Sequence, residues 1–230
     1  MMEKLLLIWT QPQSRKKYVV GSLIKYENKF VFEYVNPELK DAKSDGFDYF
    51  QGFEDITKKY ESEILFTNII ARLPNTLRPD YLKICNEYDL LPCDSDWERL
   101  KKTKGRMLTD GYEFVSAFQS KRIEFDIAGV QYYKDIEKCK NLLGVNVDLK
   151  LKHEPDNPKD SNAIQICFYD SKNKKDYMLG YVPRYYSKHI VELLKEKINY
   201  SAKIKTLINP SLYKKDKFVD IVVKLMFEEK

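Results

Sequence analysis

The sequence predicts two domains of mixed character. Residues 1–108 form an α+β domain, a small sheet followed by helices, and residues 109–230 form a small β-barrel with two helices. Three observations carry this prediction. Stretches rich in β-branched and aromatic residues open the chain and dominate its second half. A block with the 3.6-residue period of helices lies between residues 64 and 105. The segment TKGRMLTDG separates the two patterns and puts the boundary near Leu108–Gly111.

In the first domain, Lys4–Trp9, Tyr18–Ile24 and Lys29–Val35 read as strands, with Glu27 and Asn28 as a hairpin turn. The polar, glycine-containing stretch PELKDAKSDGFDYFQGF then reads as a loop. Ile64, Leu65, Asn68, Ile69 and Leu73 mark one helix face, which Pro74 ends. Pro79 and Asp80 start a second helix with Leu82, Ile84, Cys85 and Tyr88 inward. Asp94 or Ser95 caps a third, whose apolar contacts are Trp97 and Leu100 and whose end lies near Gly105.

The second half alternates more cleanly. Ile123, Phe125 and Ile127 alternate with polar neighbours, as do Val147, Leu149 and Leu151, and then Ile164, Ile166 and Phe168. Asp176–Val182, Tyr200–Ile208 and Phe218–Phe227 add three more strands. Asp135–Leu143 and Ser187–Lys197 carry helical spacing, the second with Ser187 as its N-cap. Short strands interrupted by two helices suggest a small barrel.

Composition narrows the function. With 43% hydrophobic residues the chain can build cores, and no run approaches 18 apolar residues, so no membrane span is expected. The apolar run near the N-terminus reads as a first strand rather than a signal peptide. The four cysteines contain no CxxC pair and read as free thiols of a cytoplasmic protein. Only His153 and His189 are present, so no zinc site is expected, and no phosphate-loop, dinucleotide-binding or hydrolase motif occurs. These absences favour a binding protein over an enzyme, with no cofactor. The first 110 residues carry no net charge, so the whole of the +5 falls on residues 111–230. A basic second half points towards nucleic acid.

Three segments of that half, AGVQYY (128–133), HEPDNPKDSNAI (153–164) and LGYVPRYYSKHI (179–190), resemble the HIRAN domain in order and spacing. The resemblance implies an OB-like barrel of a kind found in helicase-like remodellers and free-standing in bacteria. Its best understood member binds the 3′ end of single-stranded DNA. By residue, it implies that Asp160 receives the terminal hydroxyl and that Tyr132 stacks on a base. Gln131 stands where the DNA-binding member has arginine, Lys159 where it has a second stacking tyrosine, and Tyr181 where it has a phosphate-contacting histidine. Lys159, Arg184 and Lys188 restore charge but not stacking. The chemistry fits: Pro155 and Pro158 stiffen the turn, and a held carboxylate repels a phosphodiester yet accepts a bond from a free hydroxyl. On the residues alone, Asn157 and Asp160 read first as Asx-type closures of the turn, and Tyr132 and Tyr181 as rim residues.

In the first half, VVGSLIKYENKFVFEY (19–34) and LFTNIIARLPNTLRPDY (65–81) are similar to the N-terminal subdomain of HipA-type serine/threonine kinases. That subdomain also occurs as a separate HipS-like antitoxin, and no kinase core follows it here. The resemblance implies a non-enzymatic regulator that restrains a separate HipA-like kinase through this domain and binds DNA through the other. Phe47, Tyr49, Phe50 and Phe53 are candidate kinase contacts, and Ser44 and Thr57 candidate phosphorylation sites. Arg72 and Arg78 read as helix caps paired with local acids. The alternative is a stand-alone DNA-end-binding protein of repair or mobile-element defence, in which the first domain is structural.

Overall fold

The computed structural model describes residues 2–35, 38–118, 121–208 and 220–228. The chain divides into two compact units, Met1–Ala117 and Phe118–Lys230. The first unit therefore takes in one more strand than an end at residue 108 provides.

The first unit opens with strands β1 (Glu3–Thr10), β2 (Lys17–Lys25) and β3 (Phe30–Tyr34), followed by helix α1 (Glu38–Ser44). Strand β4 (Tyr60–Ser62), helices α2 (Thr67–Ile70), α3 (Tyr81–Tyr88) and α4 (Asp96–Thr103), and strand β5 (Tyr112–Ser116) complete it. The sheet is antiparallel, in the order β4-β3-β2-β1-β5. Strand β2 lies in its middle and is buried from Tyr18 to Ile24, as its continuous apolar run requires. Of the two candidate caps of α4 it is Ser95 that serves, its Oγ accepting from the Glu98 amide at 3.3 Å, and Lys104 in the left-handed region ends the helix.

Several expectations need correction. The segment read as a loop contains α1 and then turns its aromatics inward. Phe47, Phe50 and Phe53 are buried, and Phe53 stacks on Phe32 at 4.1 Å between ring centroids. Tyr34 pins this wrap, its hydroxyl accepting from the Phe50 amide at 2.8 Å and donating to the Phe53 carbonyl. Of the four candidate kinase contacts only Tyr49 is exposed. Ser44 and Thr57 are both exposed. The Ser44 hydroxyl bonds the Lys40 carbonyl, and that of Thr57 bonds Asp55. The helix expected from residue 64 is only the short α2, with Ile64 exposed, and Leu82 points outward from α3. Arg72 caps no helix. Its guanidinium is buried in a two-pronged pair with Asp110, 2.7 Å on each prong, and its Nε donates to the Gly105 carbonyl at 2.8 Å. Arg78 does pair with a local acid, Asp80, at 2.8 Å.

The second unit comprises β6 (Arg122–Asp126), a 3-10 turn at Val130–Tyr132, α5 (Asp135–Cys139) with a 3-10 extension at Lys140–Leu142, and β7 (Lys150–Glu154). Then come β8 (Ala163–Asp170), β9 (Lys175–Tyr181), α6 (Arg184–Lys195), β10 (Tyr200–Ile208) and β11 (Asp220–Phe227). The described residues form two antiparallel three-stranded sheets, β10-β11-β6 and β7-β8-β9. Isolated bridges join Ala128 to Tyr181 and Asp148 to Lys203; among the described residues no continuous ladder closes a barrel. The strand expected from Val147 begins only at Lys150, because residues 146–149 bond the edge of β10 instead. The start of the expected last strand, residues 218 and 219, lies outside the described residues. Ser187 is not a cap. The helix starts earlier, at Arg184 after Pro183, and the buried Ser187 hydroxyl donates to the Pro183 carbonyl at 3.3 Å.

Candidate nucleic-acid interface

The three quoted segments of the second unit meet because backbone geometry forces them together. Ala128 and Tyr181 exchange two backbone hydrogen bonds, of 2.8 and 2.9 Å, which hang the AGVQYY segment on the end of β9. Gly180 permits this closeness: its φ is +149°, and a Cβ there would lie 2.5 Å from the Ala128 carbonyl oxygen. Gly129, at φ +78°, turns the chain into the 3-10 turn, which leaves Gln131 exposed and Tyr132 74% exposed. A large aromatic ring so open has no protein partner over most of its surface.

The register of the β7-β8-β9 sheet places Gln165 opposite both Lys152 and Tyr181, and Glu154 opposite Ala163. Beyond β9, the Val182 amide bonds the Ile164 carbonyl and the chain enters α6. Arg184 and Lys188 are four residues apart on this helix, hence on one face, and both are exposed.

The turn between β7 and β8 is held by its own side chains. Asn157 Oδ1 accepts from the amides of Lys159, at 3.0 Å, and Asp160, at 3.3 Å. Asp160 Oδ1 accepts from the Asn162 amide at 2.9 Å. Its second carboxylate oxygen lies 3.8 Å from Arg184 Nε, and the side chain keeps 18% of its surface open. The closure reading therefore describes Asn157 fully and Asp160 by half. One oxygen of Asp160 closes the turn; the other faces a cation and solvent. Lys159 is exposed on the same turn.

Two residues differ from expectation. The Tyr181 hydroxyl spends its proton within the fold, donating to Glu154 at 2.8 Å. Burial, and then the bond to Glu154, push its pKa up to about 12. Its ring also meets Tyr133 edge-on at 6.0 Å. Glu154 itself was not singled out in the sequence. It receives Asn157 Nδ2 at 3.1 Å and Gln165 Nε2 besides Tyr181. The available signal was parity: Glu154 follows Lys150 and Lys152 at period two, on the face that carries Gln165 and Tyr181. Among the described residues no cluster of three or more His, Cys, Asp or Glu is placed to hold a metal. No helix among them is long and apolar enough to cross a membrane.

Comparison with known proteins agrees with the resemblance in this half. The family model for the HIRAN domain matches residues 120–222, which lie within the second unit, so this part of the chain is a HIRAN domain. Two solved structures are similar over 46% of the chain. One is the HIRAN domain of human HLTF, with 15% identity, 74% of that chain covered and a TM-score of 0.34. The other is a protein from Lactobacillus plantarum, with 21% identity, 96% of that chain covered and a TM-score of 0.33. No curated protein matches the chain.

Proposed function

We propose that the HIRAN domain binds single-stranded DNA at a free 3′ end, and that the chain acts as a binding protein rather than an enzyme. The observation that carries this reading is the meeting of three segments at one end of the β7-β8-β9 sheet. They supply an exposed ring (Tyr132), a half-used carboxylate (Asp160) and exposed cations (Lys159, Arg184, Lys188) on adjoining elements. Stacking on Tyr132 ignores base identity and contributes about 1–3 kcal/mol. The cations meet phosphates and make binding salt-dependent. The Asp160 carboxylate accepts a hydrogen bond from a terminal hydroxyl and repels a phosphodiester, so it separates an end from an internal nucleotide. With one ring in place of two, and with Tyr181 committed to Glu154, affinity is modest and rests on charge.

Competition between linear and covalently closed circular single strands of one sequence, at low salt, tests the reading. The linear strand is expected to displace a labelled probe and the circle to compete poorly. Equal competition overturns end recognition, and no binding of either overturns the DNA reading.

A second reading concerns the first unit. The segments 19–34 and 65–81 that are similar to the HipA-type subdomain share one hydrophobic core, Val20, Leu23 and Phe32 with Leu65, Ile69 and Leu73. On this reading the unit docks on a separate HipA-like kinase and restrains it, as an antitoxin. Co-expression with a HipA-like kinase lacking its own N-terminal subdomain is then expected to yield a complex and suppress toxicity. Undiminished toxicity with no complex leaves the first unit a structural part of a stand-alone DNA-end-binding protein.

A further inference from the structure

Glu154 ends β7 and opens the turn that carries Asp160. Its carboxylate draws donors from three places: the Tyr181 hydroxyl on β9 at 2.8 Å, the Gln165 amide on β8, and the Asn157 amide in the turn at 3.1 Å. Asn157 passes the connection on, since its Oδ1 holds the backbone amides of Lys159 and Asp160. An unbroken path of hydrogen bonds thus runs from the sheet through Glu154 and Asn157 to the backbone of Asp160.

The chemistry of the path is directional. An ionised carboxylate only accepts, whereas an asparagine side chain can present either its oxygen or its NH2 group. With Glu154 on one side, the NH2 group must face the glutamate, and the oxygen is left facing the turn amides. Reversal would set NH2 against N–H and strand two donors. A neutral side chain at position 154 would not impose this choice.

Resting on the end-binding reading above, we propose that Glu154 is the positioning residue of the site. It fixes the orientation of Asn157, and through it the pose of Asp160, without touching the strand itself. The competing account is that Pro155 and Pro158 already fix the turn and that Glu154 merely ties strand ends together.

Amide hydrogen exchange followed by NMR on the full chain separates the two, with Glu154→Gln and Glu154→Ala beside the wild type. Positioning predicts that the amides of Lys159 and Asp160 lose protection, about ten-fold or more in Glu154→Ala and less in Glu154→Gln. The Val182 amide, bonded to Ile164 within the sheet, is expected to keep its protection. The same variants are titrated with strands ending in a 3′-hydroxyl or a 3′-phosphate. The preference for the hydroxyl end is expected to fall with the loss of protection, while affinity for the phosphorylated strand changes little. Unchanged protection at Lys159 and Asp160 overturns the proposal, and so does lost protection with an unchanged preference. If Glu154→Ala loses the fold, Glu154→Gln, which keeps the volume, decides by the same criteria. Lost protection together with a wild type that has no end preference overturns the end-binding reading and leaves the orienting role of Glu154 standing.

Discussion

Replacing Arg72 with alanine should destabilise the first unit by about 3 kcal/mol. The side chain is 6% exposed, and its guanidinium lies over the touching rings of Phe50 and Tyr112, 5.4 and 5.8 Å from their centroids. It makes two charge-assisted bonds to Asp110, one bond to the Gly105 carbonyl, and a longer one of 3.3 Å to the Tyr112 carbonyl. Removing one member of a buried ion pair typically costs about 3–5 kcal/mol, much of it from the partner left uncompensated. Asp110 keeps 27% of its side-chain surface open, so water takes up part of that charge and the lower end applies. Arg72→Lys keeps the charge but not the fork or the Gly105 bond, and should lose about 1–2 kcal/mol. The assay is selective, because both tryptophans of the chain, Trp9 and Trp97, are buried in this unit. Tryptophan fluorescence during urea unfolding of the full chain therefore reports the first unit. A loss below about 1 kcal/mol for Arg72→Ala would refute the argument that this pair locks the segment after α2 to the start of β5.

Three further outcomes follow from the geometry. Burial raises the Glu113 carboxyl, but Arg106, Lys17 and Lys104 outweigh burial and hold it at about 2, against an ordinary value of 4.5. This folded-state value is depressed, so its stabilisation is complete above about pH 4.5 and disappears as pH falls towards 2; Glu113→Gln should flatten that part of the tryptophan-monitored acid titration. Tyr132→Ala should weaken single strands about 5- to 150-fold whichever group ends them, with no change in melting temperature, in anisotropy titrations beside calorimetry. Gly180→Ala drives a Cβ against the Ala128 carbonyl at a φ that disfavours side chains, so circular dichroism should show earlier melting of the second unit while tryptophan fluorescence stays unchanged.

Elements were legible in the sequence where one face is buried and the other wet. The alternation of Ile123 and Phe125 in β6 survives directly as a buried–exposed pattern, and Ser95 announces α4 because a cap is a local bond. Phe47, Phe50 and Phe53 were illegible for a physical reason. They lie in irregular chain, where no period marks an inward face, and the groups that hold them in come from elsewhere: the hydroxyl of Tyr34 at Phe50 and Phe53, and the hydroxyl of Tyr112 at the Tyr49 carbonyl. Arg72 was misread because its partner lies 38 residues away. Ser187 lies inside α6, which begins three residues earlier at Arg184, after Pro183, and its hydroxyl bonds back to the Pro183 carbonyl instead of capping. At the candidate site, the three motifs named Tyr132, Asp160 and Arg184 as candidates. They concealed Glu154, whose meaning depends on the cross-strand register that sets Gln165 beside Tyr181.

The central claim is tested most directly by the ratio of wild-type affinities for two otherwise identical single strands, one ending in a 3′-hydroxyl and one in a 3′-phosphate. A hydrogen bond to a charged group contributes about 1.5–3 kcal/mol, so the hydroxyl strand should bind about 10- to 150-fold more tightly. Asp160→Asn keeps an oxygen for the Asn162 amide, and hence the turn, but removes the charge that repels phosphate, so the ratio should fall while the melting temperature holds. A wild-type ratio near one, with both strands bound, would contradict end recognition by Asp160.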